Sequence, residues 1–412
     1  MIKNTTIRAG LIGAKLSHSF SPQIHAELAD YPYRLIELAE NKVGEFLRKG
    51  DFDALNVTIP YKKTVIPYLS EISPEAKRIG AVNTVLRRPD GTLVGHNTDY
   101  AGFSDLVRSL GVSLRGKKVL VLGSGGASRT AVTVAEDMGA RAVVVISRSG
   151  EDNYENLEKH ADAEVLVNAT PVGMYPNNGI SPVSLDRLPH LEAVLDMIYN
   201  PARTKLLQDA MARQIPCQNG LLMLVSQARR AAELFLDAQI PDGEVKRITD
   251  KLTKELQSIV LIGMPGCGKS TLGRLLAEKT GRRFVDCDEE IVKRAGCPIP
   301  EIFATKGEES FRATESEVVA DICRESALVI ATGGGVVTRA RNLPHLTQNA
   351  RVIFLDTPPE GLSCDGRPLS QAKSPEALYR ERLPLYRAAA DIVVPITRDI
   401  ESNMKLLEEA LL

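Results

Sequence analysis

The chain lacks the features that would place it in a membrane, outside the cell or on a nucleic acid. Its 412 residues contain no run of about 18 apolar side chains, so we expect no transmembrane helix. The opening residues, MIKNTTIRAGLIG, lack a charged start, an apolar core and a small-residue cleavage site, so we expect no signal peptide. The net charge of -1 gives no attraction to nucleic acid or to an anionic membrane surface.

The sequence also lacks a cysteine framework. None of its six cysteines forms a C-x-x-C pair. We interpret them as free thiols of a reducing compartment, which together with the missing signal peptide indicates a cytoplasmic protein. The sequence does not determine an oligomeric state.

The chain is long and contains two glycine-rich turns. A chain of 412 residues predicts two or three domains, each with its own core. Lys118 to Leu122 and Ile259 to Ile262 are short apolar strands, and each is followed by a glycine turn and a helical pattern. A strand, a glycine loop and a helix begin a βαβ unit, so the sequence predicts an α/β fold with two separate nucleotide sites.

The second turn, Gly263 to Thr271, satisfies the P-loop pattern G-x-x-x-x-G-K-[ST]. Its glycines let backbone N–H groups curl around phosphate oxygens, and the following helix points its positive end at them. Lys269 would reach the β- and γ-phosphates of ATP, and Ser270 would supply an oxygen to Mg²⁺. The predicted ATP-binding residues are Gly263, Gly266, Cys267, Gly268, Lys269, Ser270 and Thr271.

Several motifs follow this loop in a fixed order. They are Phe284-Val285-Asp286-Cys287-Asp288, Gly307-Glu308 with Phe311-Arg312 and Glu315, Gly333-Gly334-Gly335, Gly366-Arg367-Pro368-Leu369, and Arg382-Leu383-Pro384-Leu385-Tyr386-Arg387. The ordered set resembles shikimate kinases over the whole segment from Ser258 to Leu412. The resemblance implies a P-loop kinase domain with a parallel sheet at 258–412.

The same resemblance implies roles for the acidic and basic residues of these motifs. Asp286 would help to hold Mg²⁺ through water. Asp288 would bind shikimate hydroxyls and orient or deprotonate the attacking one. Arg312 and Arg387 would hold the substrate carboxylate, which suits guanidinium geometry. Arg367 would sit on a lid and neutralise charge on the transferring phosphoryl group.

Two further features of this segment have alternative interpretations. The backbone of Gly333, Gly334 and Gly335 would approach the substrate ring closely because no side chain intrudes, or the triplet is only a turn. Asp286 and Asp288 are otherwise ordinary solvated acids at a strand end, and Glu315 would pair with Arg312 on one helix face and position it. The segment from Leu355 to Arg367 is short for the family.

The first turn, Gly123-Ser124-Gly125-Gly126-Ala127, is a variant of the dinucleotide-binding turn. It brings backbone close to a pyrophosphate with a helix N-terminus behind it. The next strand, Ala142 to Ile146, ends in Ser147-Arg148-Ser149. A basic residue there favours a 2′-phosphate, so Arg148 predicts NADP rather than NAD.

A second ordered series of motifs surrounds this turn. It comprises His18-Ser19-Phe20-Ser21-Pro22, Asn56-Val57-Thr58-Ile59-Pro60-Tyr61-Lys62, Gly80-Ala81-Val82-Asn83-Thr84, Gly95-His96-Asn97-Thr98-Asp99, Asn168 to Met174, Asp196 to Tyr199 and Asn219 to Ala228. The series resembles shikimate dehydrogenases from Gly10 to about Leu256. The resemblance implies a substrate-binding domain at 1–100, completed by helices of about 219–256, and a Rossmann NADP-binding domain at 101–218.

The dehydrogenase resemblance makes Lys62 and Asp99 the catalytic pair. Reduction of a ketone leaves an alkoxide that needs a proton, and a lysine beside a carboxylate can donate it. The residues that would bind substrate hydroxyls and carboxylate are Ser19, Ser21, Thr58, Asn83, Tyr199 and Gln227. Alternatively, Ser21 caps a helix, Asn83 and Asp99 form Asx turns, and Lys62 is a solvated surface lysine.

The two halves together predict one bifunctional enzyme. The first would reduce 3-dehydroshikimate to shikimate with NADPH, and the second would phosphorylate the 3-hydroxyl of shikimate with ATP and Mg²⁺. Two alternatives remain open at this point. One is a non-catalytic sensor of pathway intermediates, and the other is a kinase for another small hydroxylated acid. In every case the partners are small molecules, with no nucleic acid and no membrane.

Overall fold

The structure is a computed structural model that describes residues 2–3, 6–17, 19–362 and 374–411. These residues form two compact units. The first consists of Met1–Val172, Ser181–Tyr199 and Asp209–Leu252, and the second of Gly173–Ile180, Asn200–Gln208 and Thr253–Leu412. Over the described ranges, no helix combines the length and the apolar character needed to cross a bilayer.

The strands confirm the predicted α/β class. They are β1 Ile2–Lys3, β2 Ala9–Gly13, β3 Ala29–Asp30, β4 Tyr33–Glu37, β5 Ala54–Val57, β6 Glu71–Ile72, β7 Thr84–Arg87, β8 Leu93–His96, β9 Lys118–Leu122, β10 Ala142–Ile146, β11 Val165–Asn168, β12 Ala193–Asp196, β13 Cys217–Gln218, β14 Ser258–Ile262, β15 Arg283–Asp286, β16 Leu328–Ala331, β17 Ala350–Asp356 and β18 Ile392–Pro395.

Helices lie between these strands. They are α1 Ser21–Leu28, α2 Glu40–Lys49, α3 Pro74–Ile79, α4 Asp99–Ser109, α5 Gly126–Asp137, α6 Lys205–Ala212, α7 Leu221–Leu236, α8 Gly243–Leu256, α9 Lys269–Thr280, α10 Cys287–Ala295, α11 Ile299–Ile322, α12 Leu343–Thr347, α13 Pro375–Ala389 and α14 Ile400–Leu411. α11 is kinked at Gly307, whose φ of 78° interrupts the helical backbone.

The first sheet of unit 1 is mixed and has six strands in the order β4-β2-β5-β7-β8-β6. β5 and β7 run antiparallel, and their register pairs Asn56 with Thr84. β7 and β8 are also antiparallel and pair Thr84 with His96. Three motifs that are distant in sequence therefore meet at one end of this sheet, because strand pairing brings them side by side.

The second sheet of unit 1 is parallel, in the order β10-β9-β11-β12-β13. Strands β9 and β10 have the predicted bounds. The chain leaves strand β9 for β10 on one side and returns to β11 on the other, which creates a switch point at the carboxyl end of β9. The glycine turn 123–127 lies at this switch point.

Unit 2 contains a parallel sheet in the order β15-β16-β14-β17-β18. All five residues of the central strand β14 are buried, which explains its apolar run from Ile259 to Ile262. The P-loop follows directly and leads into α9, as the pattern predicts.

Two earlier segments of the chain, Gly173–Ile180 and Asn200–Gln208, belong to unit 2. The Ala202 backbone N–H donates to Asn349 Oδ1 at 2.9 Å, and the Arg203 N–H donates to the Gln348 carbonyl at 2.8 Å. Gln208 Nε2 donates to the Pro344 carbonyl at 2.7 Å. The predicted Rossmann domain, 101–218, contains both segments, and its boundaries remain a prediction.

Candidate active sites

Unit 1 holds a cavity of about 790 Å³ that gathers eight sequence-predicted residues. Its lining includes Ser19, Ser21, Thr58, Lys62, Asn83, Asp99, Tyr199 and Gln227. These side chains come from segments up to two hundred positions apart, and the first sheet and helices α4 and α7 bring them together. Ala127, from the first glycine turn, lines the same cavity. Lys15, Asn56 and Met223 also line it and had not been predicted as site residues.

Lys62 and Asp99 form an ion pair in this cavity. Lys62 Nζ donates to Asp99 Oδ2 at 2.6 Å. The side chains are 27% and 16% exposed, so the pair is shielded from bulk water and still open to a ligand. Lys62 is therefore not a solvated surface lysine, and the ammonium is positioned to give a proton to an oxygen inside the cavity.

Asn83 holds the other oxygen of the same carboxylate. Its Nδ2 donates to Asp99 Oδ1 at 2.9 Å, while its Oδ1 accepts the backbone N–H of Thr98 at 2.7 Å. Thr98 N–H can only donate, so it fixes which end of the Asn83 amide faces Asp99. The side chain of Asn83 is nearly fully buried at 3% exposure. This network joins Asn83, the residue before β7, to Thr98 and Asp99 at the start of α4.

Ser21 does not cap α1. The N-cap residue is Phe20, and no side chain caps the helix. One alternative interpretation of the serine motif is therefore wrong, and Ser21 instead lines the cavity. Tyr199 packs edge-on against Phe20 with ring centroids 5.9 Å apart, and burial raises the pKa of its hydroxyl. Gln227 Nε2 donates to the Leu224 carbonyl, and its Oε1 accepts from Thr98 Oγ1 at 3.4 Å.

A second cleft in unit 1, of about 550 Å³, lies at the switch point of the parallel sheet. Gly123, Ser124, Gly125, Ser147 and Arg148 line it, as do Tyr154 and the Thr170-Pro171-Val172 segment. Of the remaining predicted cofactor residues, Gly126 begins α5 and Ala127 lines the neighbouring cavity, while Ser149 does not line the cleft.

The residues of this cleft fit a dinucleotide pyrophosphate. Gly123 has a φ of 103°, and a Cβ there would lie 3.1 Å from the Ala169 carbonyl oxygen. Only glycine therefore keeps this turn tight and leaves its backbone open to a phosphate. The first turn of α5 carries no acidic residue that would oppose an anion at the helix N-terminus.

In unit 2, the P-loop lysine lies folded into its own loop. Lys269 Nζ donates to the carbonyl oxygens of Gly263 and Met264, both at 2.9 Å, and lies 3.6 Å from Cys267 Sγ. The side chain is 8% exposed. An ammonium enclosed by carbonyl dipoles is positioned to exchange them for phosphate oxygens.

Ser270 and Asp286 form the predicted metal-binding pair. Ser270 Oγ donates to Asp286 Oδ2 at 2.6 Å, and Asp286 Oδ1 accepts the Asp288 backbone N–H at 3.0 Å. Asp286 thereby caps α10 and fixes Asp288 at its first turn. Both acids are held in a defined geometry, which disagrees with their being ordinary solvated strand-end residues. A hydroxyl and a carboxylate oxygen are hard ligands that fit Mg²⁺.

Beside Asp288 lies a buried ion pair. Arg312 Nη1 donates to Glu315 Oε2 at 2.7 Å, and the two side chains are 3% and 0% exposed. Burial raises the pKa of Glu315, and the Arg312 charge opposes that rise. Within the described part of the chain, Glu315 Oε1 has no hydrogen-bond partner. The pairing predicted for Glu315 is confirmed.

The glycine triplet packs onto this pair. A Cβ at Gly333 would lie 2.5 Å from Glu315 Oε1 and 3.0 Å from Asp288 Oδ1. A Cβ at Gly335 would overlap the Arg312 guanidinium. Because the triplet has no side chains, Glu315, Asp288 and Arg312 can pack directly against its backbone. The triplet is therefore more than a turn.

Arg382, which sequence analysis missed, completes the cluster. Its Nη1 donates to the Gly334 carbonyl at 3.1 Å, and it is 4% exposed. Its Nε has no partner among the described residues. Arg387, the residue predicted to bind the carboxylate, is 61% exposed and its ion-pair partner is Asp356 at 3.9 Å.

Helix periodicity explains this difference. The buried residues of α13 are Leu378, Arg382, Tyr386 and Ala389, spaced as one helix face. Arg387 lies five positions beyond Arg382, about 140° around the helix, so it points elsewhere. The apolar spacing of this helix was the signal that could have identified Arg382. Arg367, the predicted lid residue, lies outside the described residues.

Two family models match parts of the chain. Residues 11–85 match the family model of the shikimate dehydrogenase substrate binding domain, and residues 265–411 match that of shikimate kinase. The NADP(+)-dependent shikimate dehydrogenase of Clostridium beijerinckii is 35% identical over 269 residues, which cover 61% of this chain and 96% of that protein.

Solved structures give the same result for the first part of the chain. A chorismate mutase/shikimate 5-dehydrogenase fusion protein from Clostridium acetobutylicum is 37% identical with a TM-score of 0.57, over 61% of this chain and 98% of that one. Shikimate 5-dehydrogenase of Thermus thermophilus, in complex with NADP(H) and shikimate, is 32% identical with a TM-score of 0.53, over 60% and 99%.

Proposed function

Because the chain belongs to the shikimate dehydrogenase family and carries a shikimate kinase region behind it, we propose that it catalyses two consecutive reactions. The first is the NADPH-dependent reduction of 3-dehydroshikimate to shikimate. The second is the ATP-dependent phosphorylation of shikimate to shikimate 3-phosphate. The observation that carries this proposal is the convergence of the predicted residues in each unit, with Lys62 beside Asp99 in one and Lys269, Ser270, Asp286 and Asp288 near the P-loop in the other.

In the reduction, NADPH supplies a hydride to the ketone carbon. The chain's own residues manage the proton and the orientation. Lys62 Nζ holds the ketone oxygen and donates the proton that turns it into a hydroxyl, while Asp99 keeps the lysine in place. Ser19, Ser21, Asn83 and Gln227, which all line the cavity, would bind the carboxylate and ring hydroxyls.

The cofactor would occupy the cleft at the switch point. Gly123 to Gly125 and the N-terminus of α5 would receive its pyrophosphate. Arg148 would pair with the 2′-phosphate, which distinguishes NADP from NAD. Ala127, the last residue of the glycine turn, lines the neighbouring cavity that holds Lys62 and Asp99.

In the phosphorylation, ATP supplies the γ-phosphoryl group. Lys269 and the P-loop backbone would bind its phosphates, and Ser270 and Asp286 would hold Mg²⁺. Asp288 would orient the 3-hydroxyl of shikimate for attack. Arg312 and Arg382, which both contact the glycine triplet, would bind the shikimate carboxylate between them. Their guanidinium groups favour a carboxylate-bearing acceptor over a neutral polyol.

A single assay tests the proposal. The purified chain is given 3-dehydroshikimate, NADPH, ATP and Mg²⁺, and the products are followed by mass spectrometry. We expect shikimate 3-phosphate with all components, shikimate alone when ATP is omitted, and neither when NADPH is omitted. Absence of shikimate 3-phosphate from the complete mixture would overturn the proposal, and tight binding without turnover would favour the sensor alternative.

A further inference from the structure

A row of hydrogen-bonded side chains lies behind the cavity of unit 1. Asn56 on β5 and Thr84 on β7 are direct cross-strand partners. Asn56 Nδ2 donates to Thr84 Oγ1 at 3.2 Å, and Thr84 Oγ1 donates to Asn83 Oδ1 at 3.1 Å. Because Asn83 Nδ2 then donates to Asp99, the row ends at the carboxylate that pairs with Lys62.

Thr84 cannot act by touching a ligand. Its side chain is completely buried and it does not line the cavity. Its hydroxyl accepts from Asn56 and has one proton to give. Asn83 Oδ1, at 3.1 Å, is a nearer acceptor for that proton than Thr98 Oγ1 at 3.3 Å. Thr84 thereby joins the backbone N–H and the hydroxyl of Thr98 as a donor that keeps the Asn83 oxygen turned away from Asp99.

The row continues in the other direction to Tyr33 on β4. Tyr33 OH donates to Asn56 Oδ1 at 2.7 Å, which fixes the Asn56 amide with its nitrogen toward Thr84. The ring of Tyr33 stacks on buried His25 with centroids 4.1 Å apart, so it has little freedom to move. One continuous network thus joins Tyr33 to Asp99.

We propose that Thr84 is a positioning residue for the reduction, and that Tyr33 and Asn56 hold it in place through the hydrogen bonds of the same row. Thr84 orients the amide of Asn83, and Asn83 orients Asp99 and through it Lys62. This inference rests on the proposed reduction of 3-dehydroshikimate. An amide that is free to flip would present its oxygen to the Asp99 carboxylate, repel it and release Lys62 from its position.

The decisive experiment compares Thr84→Val with Thr84→Ser in the full chain. Valine keeps the shape of threonine and removes its hydroxyl, whereas serine keeps the hydroxyl. For Thr84→Val we expect kcat/KM for 3-dehydroshikimate to fall about tenfold, the effect of one or two buried hydrogen bonds, with KM for NADPH unchanged. Thr84→Ser is expected to recover most of the loss. Shikimate phosphorylation by the same preparations reports whether the rest of the chain is intact.

The outcomes separate the hypotheses. Normal reduction by Thr84→Val, or equal losses in the valine and serine variants, would overturn the positioning role while leaving the proposed function in place. A wild-type chain that does not reduce 3-dehydroshikimate would instead refute the proposed function. If Thr84→Val does not fold, Tyr33→Phe takes its place.

Tyr33→Phe has a matched control in Tyr61→Phe. Tyr61 is buried in the same unit and also donates its hydroxyl to a single acceptor, the Leu38 carbonyl, outside the network. We expect Tyr33→Phe to lower kcat/KM for 3-dehydroshikimate about threefold and Tyr61→Phe to leave it unchanged. Equal behaviour of the two phenylalanine variants would contradict the proposal.

Discussion

Lys62 Nζ lies 2.6 Å from Asp99 Oδ2, although the two residues are separated by 37 positions in the chain. Lys62 follows β5 in a short turn, and Asp99 is the first residue of α4. The pairing of β5, β7 and β8 in one sheet brings these two element ends together. A partly shielded lysine–carboxylate pair facing a cavity is a proton donor with a fixed direction, and it is the relationship on which the proposed reduction depends.

Replacing Lys62 with methionine should separate the two activities. We expect the rate of 3-dehydroshikimate reduction to fall about 10²- to 10⁴-fold, because the general acid is lost. Phosphorylation of added shikimate should continue at the wild-type rate, since it depends on residues of the other unit. NADPH oxidation and ADP release measured on one preparation provide both values.

Lys63→Met is the control for this variant, because Lys63 is the exposed neighbour of Lys62. It should retain both activities. Loss of reduction in the Lys63 variant, or its survival in the Lys62 variant, would contradict the assignment.

The structure and the sequence point to different arginines of α13 as the ligand of the shikimate carboxylate. Arg382 is buried against the glycine triplet, whereas Arg387 is mostly exposed. We expect Arg382→Lys to raise KM for shikimate at least about tenfold with little change in KM for ATP, because an ammonium cannot replace a planar guanidinium. Arg387→Lys should be close to wild type in the same initial-rate assay. The reverse result would restore Arg387 as the carboxylate ligand.

Arg148 should determine the choice of nicotinamide cofactor. It lines the cleft beside Ser147, where the 2′-phosphate of NADPH would lie. We expect Arg148→Gln to raise KM for NADPH about tenfold, the value of a charge-assisted contact, and to leave KM for NADH unchanged. Arg115→Gln is a suitable control, because Arg115 is exposed and precedes β9 at the other end of that strand. Equal changes in KM for NADPH and for NADH would show that Arg148 does not bind the 2′-phosphate.

Buried His25 predicts a loss of stability in acid. Burial lowers the pKa of His25 from 6.5 to about 3. Between these values the unfolded chain takes up a proton that the folded chain does not, so protonation favours unfolding as the pH falls below 6.5. A single group of this kind removes about 1.4 kcal/mol of stability per pH unit.

The measurement is denaturant unfolding between pH 6.5 and pH 5, followed by circular dichroism. His25→Phe keeps the stacking against Tyr33 and Phe235 and should show a shallower pH dependence than wild type. His190→Gln, at an exposed position, should keep the wild-type slope. A slope that is the same in all three proteins would exclude His25 as the source.

Sequence analysis succeeded where function depends on contiguous residues. The P-loop and the first glycine turn are single segments, and the strands before them have bounds within a residue of those predicted. Backbone N–H groups and a helix N-terminus bind phosphate through local geometry, so glycine spacing alone is informative. All eight residues that the dehydrogenase resemblance assigned to catalysis and substrate binding line one cavity, together with residues that had not been predicted.

The positions of the two arginines in α13 depend on the tertiary structure. Arg382 and Arg387 are equally basic and lie in one motif, yet only Arg382 is on the buried face of α13. Thr84 and Tyr33 carry no functional pattern of their own, and their role depends on the register of β5 and β7 and on the packing around His25.

The sequence by itself therefore determined the fold class and the two glycine-rich loops, because each depends on local patterns, and its ordered motifs predicted the pair of reactions through their resemblance to known families. The tertiary structure decided the orientation of Asn83, the burial of Arg382 against the glycine triplet and the inclusion of Gly173–Ile180 and Asn200–Gln208 in unit 2. These features arise from contacts between residues far apart in sequence, and such contacts are set by strand register and side-chain packing.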